Sequence, residues 1–362
     1  LYYLFIIISK KIFGLIYYMK LLILTTFDIE NNKLQLENCK CQYHIYLFFI
    51  YKYLNQYDYE ITIKTIPIMG NSHRIQLLYN NFSLNEKYDH CLVIENRGIQ
   101  RRPDKFFNVL REKVKYCIST ISANSKHKGK EDVLFYSLPA GKRKRKGSRY
   151  IGWACDPEML YPKQKKNTIN ILIDHPYYGS GENMIKQDLT LHISKLVMDW
   201  FLKNKNTKNI TIKRFCKGGI ENVNLNNYNK MDKYIQNEGL NYKDACEIYN
   251  STDIFFVTHP EAMGLVALEC AMAGALIVSP EGYIKQDLLQ FIHSVSLKNN
   301  FNHMNMDNIV SNIDHKLSRN NALKFNWENA VGVIHNTFAN WNMYKEKDLW
   351  FRRPSNAHIR KL

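Results

Sequence analysis

The sequence lacks the cysteine patterns that hold small secreted domains or zinc modules together. Its eight cysteines form no C-x-x-C pair, and no histidines accompany them at zinc-finger spacing. Several of them lie within apolar runs, where a free thiol packs as a small hydrophobic group. This pattern favours a reducing compartment over a disulfide framework. We therefore predict a cytoplasmic protein with no metal site.

Long apolar runs are also missing. Residues 1–8 are apolar, but Lys10 and Lys11 separate them from the next apolar run, which starts at Ile12. A membrane-spanning helix needs about 18 or more consecutive apolar residues. The segment that starts at Met19 is typical of an opening buried strand. We predict that residues 1–18 are an upstream or untranslated extension, and a signal anchor is the alternative.

Acidic residues are few compared with basic ones, 33 against 50, which gives a net charge of +17. A basic protein attracts phosphates, nucleic acids or anionic membranes. The chain is also rich in the residue types that AT-rich codons supply, so lysines on solvated faces are the alternative. Five consecutive bases, residues 142–146, lie between Gly141 and Gly147. They predict a solvated loop tip, a loop that contacts phosphate or membrane, or a patch similar to a nuclear-localisation signal.

The order of apolar segments predicts an α/β protein. A chain of 362 residues suits two domains. Strand-like and helix-like segments alternate from Met19 onward, as expected for parallel sheets. No Gly-rich loop follows the first strand, and the histidines of this half are candidates by location only. The main predicted elements are strands at 21–26, 60–67, 90–95, 168–174 and 209–215, helices at 43–54, 185–202 and 242–250, and the candidate histidines are His44, His73 and His90.

Residues 253–279 carry the strongest local signal, DIFFVTHPEAMGLVALECAMAGALIVS. The pattern predicts a strand over 253–258, a helix that Gly264 opens, and a second strand over 275–279. Gly274 follows the helix where a left-handed residue is favoured. A helix N-terminus offers free N–H donors and partial positive charge, which suit a phosphate. An ordinary βαβ unit with solvated carboxylates is the alternative.

Two glutamates flank this helix start. Glu261 lies in the loop and Glu269 lies about one turn into the helix, with seven residues between them. Glu261 is placed beside the chemical group that is attached to a phosphate bound at the helix N-terminus. Glu269 is placed deeper, where a carboxylate can accept two vicinal hydroxyls such as those of a ribose.

The segment from Glu261 to Ser279 resembles the donor-binding segment of group 1 (GT4-like) retaining glycosyltransferases of GT-B fold, E-G-F-G-L-x-x-x-E-A-M-A-x-G-x-P-V-V. Both glutamates, Gly264, Leu265 and Gly274 fall in register with that pattern. The resemblance implies two Rossmann-like, doubly wound parallel-sheet domains that face a cleft. Departures occur where Gly-Phe is usual, at Ala262 and Met263, and after Ser279.

The resemblance also implies roles for these residues. Glu261 becomes the catalytic residue beside the transferred sugar, and Glu269 holds the nucleotide ribose. Met263, Gly264 and Leu265 meet the diphosphate of the donor. In the family, an Arg and a Lys of the domain that contains this segment bind the diphosphate. The candidates for these roles by position are Lys186, Arg214 and Lys217. The alternative is that they are ordinary surface charges.

Two further segments resemble the same family. Residues 150–162 are similar to its interdomain hinge, and residues 325–338 are similar to its closing helix, which Trp327 would anchor by packing. We therefore predict an acceptor domain over 19–152, a nucleotide-sugar-binding domain over 153–330, and a helical segment over 331–362 that crosses back towards the first domain.

The predicted function is retaining transfer of a sugar from a nucleotide-diphosphate sugar to a glycan, lipid or protein. No D-x-D carboxylate pair is present, so we predict a metal-independent enzyme without a cofactor. We also predict peripheral contact with an anionic membrane. One alternative is a catalytically idle GT-B-like module that binds a glycan or nucleotide. The other is a basic nucleic-acid-associated protein, including a sugar transferase that acts on DNA. The sequence shows no helix-turn-helix and no aromatic RNA motif, which disfavours nucleic acid as a partner.

Overall fold

The computed structural model shows two units, each built on a six-stranded sheet. It describes residues 18–25, 34–36, 39, 42–66, 68–69, 76–77, 84–94, 104–122, 131–136, 147–152, 154–163, 167–174, 187–206, 209–216, 219–230, 240–259, 264–284, 292–297 and 304–346. Within these ranges, no helix combines the length and the apolar character that a membrane crossing requires.

The first unit contains a sheet whose neighbouring strands are all parallel, in the order β2-β1-β5-β6-β7-β8. A separate short antiparallel pair, β3 and β4, lies outside it. The strands are β1 Met19–Thr25, β2 Tyr59–Thr65, β3 Ile68–Met69, β4 Gln76–Leu77, β5 Tyr88–Ile94, β6 Val114–Ser122, β7 Val133–Tyr136 and β8 Ser148–Tyr150. The helices described in this unit are α1 Gln42–Leu54 and α2 Asp104–Lys113.

The second unit repeats the arrangement, in the order β11-β10-β9-β12-β13-β14. Its strands are β9 Thr168–Ile173, β10 Asn209–Cys216, β11 Gly219–Asn222, β12 Ile254–Phe256, β13 Leu276–Pro280 and β14 Ser294–Leu297. The helices are α3 Gln187–Asn204, α4 Tyr242–Asn250, α5 Leu265–Met272, α6 Met306–Ser311, α7 His315–Ala322, α8 Trp327–Ala339 and α9 Trp341–Glu346. Only the β10–β11 pair of this sheet is antiparallel. The doubly wound α/β fold predicted from the sequence is confirmed.

The central strands β1 and β12 form because their buried residues are apolar on both faces. Leu21, Leu22, Ile23 and Leu24 of β1 are all fully buried. Continuous apolar runs of this kind are typical of parallel strands, since helices cover both sides of such a sheet. The same reasoning accounts for β12, whose three residues are each at most 1% exposed.

Two crossings of the chain between the units are hydrogen-bonded to each other. The Cys155 N–H donates to the Phe325 carbonyl at 2.8 Å, and the Trp327 N–H donates to the Cys155 carbonyl at 3.3 Å. Next to this pair, the fully buried carboxylate of Asp156 accepts a hydrogen bond from Lys52 of α1 at 2.9 Å. The predicted boundary at residues 330/331 falls inside α8, which begins at Trp327.

Trp327 anchors α8 on the first unit. Its indole is 2% exposed, stacks on Phe49 of α1 with ring centroids 5.4 Å apart, and meets the edge of Tyr46 at 4.9 Å. Aromatic pairs of this geometry add stability beyond the apolar area that they bury.

We expect Trp327→Ala to lower the free energy of unfolding by about 3–5 kcal/mol, because it opens a large cavity between α1 and α8. Urea denaturation would measure the loss. The control is Leu317→Ala, since Leu317 is 42% exposed and should change stability by less than about 0.5 kcal/mol. Equal losses in the two variants would contradict the anchoring role.

Candidate functional site

The carboxyl ends of β9 and β12 lie side by side where the strand order reverses. From β9 the chain passes to β10 on one side, and it later returns to β12 on the other side. The register pairs Ile173 with Phe256, and Phe256 with Val278. In open parallel sheets, ligands bind outside the carboxyl ends of the strands at such a reversal. This edge of the second sheet is therefore the candidate site.

Buried polar side chains gather at this edge. Asp174 follows β9, Thr258 and His259 follow β12, and Ser279 lies near the end of β13. His259 is 6% exposed, and the other three are fully buried. The Asp174 N–H donates to the Phe256 carbonyl at 2.9 Å, which joins the two strand ends. Burial of polar groups is unfavourable unless they have partners, so their concentration at one sheet edge marks a functional candidate.

Asp174 and His259 form a pair across the reversal. The Asp174 Oδ2 atom lies 3.2 Å from the His259 Nδ1 atom, and the two side chains are 0% and 7% exposed. The predicted strand at 168–174 ends with Asp174, and the predicted strand at 253–258 stops just before His259. Neither residue had a predicted role, because only the order of the strands in the sheet brings the two together.

Helix α5 begins at this edge, as predicted. Its N-terminal neighbour Gly264 has φ +64°, in the left-handed region that favours glycine. The N–H groups of the first turn have no partner inside the helix. At the other end, Gly274 has φ +96°, and a Cβ atom there would lie 2.8 Å from Cγ of Pro162. Both glycines are therefore required by the backbone.

The structure places only part of the predicted donor site. Gly264 and Leu265 stand at the helix mouth. Four predicted site residues lie outside the described residues: Glu261, Met263, Lys186 and Lys217.

Glu269 lies inside the second unit, on the buried face of α5, with 9% of its surface exposed. Burial raises the pKa of Glu269 to about 8, while a hydrogen bond from the Tyr242 side chain acts in the opposite direction. The carboxyl group is therefore mostly protonated at neutral pH. A protonated carboxyl both donates and accepts hydrogen bonds, which suits a pair of hydroxyl groups.

Arg214 has a different environment from the predicted one. Its side chain is 1% exposed, and Nε donates to Glu221 at 2.6 Å. Its Nη atoms donate to Ser194 of α3 and to carbonyls in the turn after β11, those of Asn227, Tyr228 and Lys230. All three nitrogens already have protein partners. The contacts are those of a structural arginine and do not support the predicted contact with a donor diphosphate.

The histidines of the first unit give no second site among the described residues. His90 is 1% exposed and stacks on Phe338 of α8 at 4.6 Å. Burial lowers the pKa of His90 to about 4, so the ring is neutral and packs as an aromatic group. Burial also lowers the pKa of His44, and His73 lies outside the described residues.

Comparison with known proteins establishes the fold. No protein-family model matches the sequence, and no curated protein sequence matches it significantly. The structure is similar to sucrose-phosphate synthase from Thermosynechococcus elongatus, with a TM-score of 0.51, 10% identity, and coverage of 90% of this chain and 99% of that one. It is also similar to Anabaena Alr3699/HepE, solved in complex with UDP and glucose, with a TM-score of 0.50, 10% identity, and coverage of 89% and 100%. The chain has the GT-B fold.

The buried carboxyl of Glu269 should make stability depend on pH. An acid whose pKa rises on folding binds more protons in the folded state than in the unfolded state, here between its ordinary value of 4.5 and about 8. The free energy of unfolding should therefore fall as pH rises through this window. Urea denaturation between pH 5 and 8.5 would measure the slope.

Glu269→Gln should flatten this slope and stabilise the protein most at the upper end of the range. Glu112→Gln, which changes an exposed carboxylate on α2, should leave the slope as in the wild type. A wild-type slope that persists in Glu269→Gln would contradict the burial of a proton-binding carboxyl.

Proposed function

We propose that the protein is a metal-independent, retaining glycosyltransferase that uses a nucleotide-diphosphate sugar. The observation that carries the proposal is the meeting of three features in a GT-B fold. The mouth of helix α5, the strand-order reversal and a set of buried polar side chains all lie at the carboxyl edge of the second sheet.

The diphosphate of the donor would lie at the mouth of α5. Gly264 has a left-handed backbone at the start of the helix. The N–H groups of the first turn have no partner inside the helix and point out of its N-terminus. Those donors and the helix dipole favour an anion. The absence of a side chain at Gly264 also allows a ligand to approach the backbone closely.

The ribose of the donor would bind Glu269. The raised pKa of Glu269 gives the group both a donor and an acceptor at neutral pH. Tyr242 of α4 holds the carboxyl through a hydrogen bond, so the group is oriented before a ligand arrives. The neighbour solved with UDP and glucose supports a UDP sugar as the first donor to test.

Glu261 would orient the sugar near its anomeric carbon. The bond between that carbon and the phosphate oxygen breaks, and its electron pair stays on the oxygen. The acceptor hydroxyl attacks from the same face, and its proton passes to the departing phosphate oxygen. Donors aimed at that oxygen are each worth about 3 kcal/mol of barrier.

The acceptor would approach from the first unit and would be a glycan, a lipid or a protein. A net charge of +17 favours an anionic partner, and peripheral contact with an anionic membrane from the cytoplasmic side agrees with it.

Donor binding tests the proposal directly. Thermal-shift measurements with UDP, GDP and ADP sugars should show a raised melting temperature for one of them, because a ligand that binds the folded state alone raises apparent stability. The same sugar nucleotide should release nucleoside diphosphate slowly.

Glu261→Gln should abolish this release without changing the melting temperature of the free protein, and Glu112→Gln should keep both. Binding without release in the wild type would identify a catalytically idle module. Binding of duplex DNA with a steep salt dependence and no response to sugar nucleotides would identify a nucleic-acid-associated protein.

A further inference from the structure

We propose that Asp174 and His259 together bind the terminal phosphate of the donor's nucleoside diphosphate. The Asp174 carboxyl group lies 3.2 Å from Nδ1 of the imidazole, and His259 donates a hydrogen bond from Nε2 to the phosphate. This inference rests on the proposed function and adds a phosphate ligand that the sequence did not predict.

The position of the pair is the first support. Asp174 directly follows β9 and His259 comes three residues after the end of β12, so the pair spans the two strands between which the strand order reverses. Gly264, at the start of α5, follows His259 by five positions in the sequence. The imidazole and the N–H groups of the first helical turn are therefore close along the chain.

The chemistry of the pair is the second support. The 3.2 Å separation joins Oδ2 of a fully buried carboxyl group to Nδ1 of the imidazole. The two ring nitrogens of a histidine are distinct, and with the carboxyl group on the Nδ1 side we assign the opposite nitrogen, Nε2, to the ligand.

The charge requirement of the ligand is the third support. A nucleoside diphosphate carries at least two negative charges, and a buried site must offset them. Arg214, the arginine predicted for this role, has partners at all three of its nitrogens. Among the described side chains at the reversal between β9 and β12, His259 is the one that can carry positive charge.

A purely structural pair is the competing explanation. A buried ion pair adds little net stability, because desolvation of both groups offsets their attraction. The chain offers a matched comparison at the opposite end of β12. There, Asp253 Oδ1 lies 3.2 Å from Nε2 of His315, the first residue of α7. The two pairs share residue types and distance. The Asp253–His315 pair involves the other ring nitrogen and is more exposed, and only Asp174–His259 lies at the carboxyl edge.

Calorimetric titration tests the proposal with UDP, GDP and ADP and with the corresponding monophosphates. His259→Gln should weaken binding of the preferred diphosphate by about 10- to 100-fold, as expected for a lost hydrogen bond to a charged group. Its binding of the monophosphate should change less than about threefold. Asp174→Asn should shift the diphosphate-to-monophosphate affinity ratio in the same direction by a smaller factor, and His315→Gln should leave the ratio at its wild-type value.

The outcomes separate the two proposals. If the wild-type protein binds none of the three diphosphates, the proposed function fails and this inference fails with it. If the wild type binds one of them and His259→Gln binds it equally well, or loses diphosphate and monophosphate affinity by the same factor, the phosphate role is overturned while the transferase proposal stands. Should His259→Gln fail to fold, the affinity ratio of the nearly isosteric Asp174→Asn decides: an unchanged ratio overturns the role.

Discussion

The contacts of Arg319 set the position of helix α5, and the site depends on that position. Arg319, on α7, donates to the Met272 carbonyl at the C-terminal end of α5 at 2.8 Å and to the Pro157 carbonyl in the hinge segment at 2.8 Å. A cation at this end complements the helix dipole. The opposite end of the helix opens at Gly264. The hydrogen bond from Arg319 holds the C-terminal end of α5. The position of that end determines where the N-terminal end presents its N–H groups.

Glu269 connects the interior of the second unit with the first unit. The Tyr242 side chain hydrogen-bonds the Glu269 carboxyl, and the Tyr242 N–H donates to the Cys39 carbonyl at 3.0 Å. The ring of Tyr242 also meets the edge of Phe49 on α1, with centroids 5.7 Å apart. Tyr242 therefore contacts Glu269, the residue proposed to bind the ribose, and two parts of the first unit. The orientation of this carboxyl depends on how the two units pack.

Local signals in the sequence predicted the fold well, because apolar runs and glycines act over short distances. The helix predicted at 242–250 is observed as Tyr242–Asn250, and Gly274 has the left-handed backbone that its position indicated. Helices α6 and α7 were not predicted because both are short and α7 is largely polar, although Asn305 and Asp314 cap them. The Asp174–His259 pair joins residues far apart in sequence, so it follows from strand order and not from any local pattern. Arg214 was predicted from its strand position alone, whereas the turn at 224–230 determines its partners.

The paired crossings at Cys155 and Trp327 have a mechanical consequence. The outgoing and returning chains are hydrogen-bonded at one place, so rotation of one unit against the other has an axis that passes near Cys155. Side chains close to an axis move little during a rotation, whereas groups far from it move in proportion to their distance. Trp327 and Asp156 would therefore keep their contacts through such a rotation, and the largest displacement would occur at the parts of the two units most distant from this pivot.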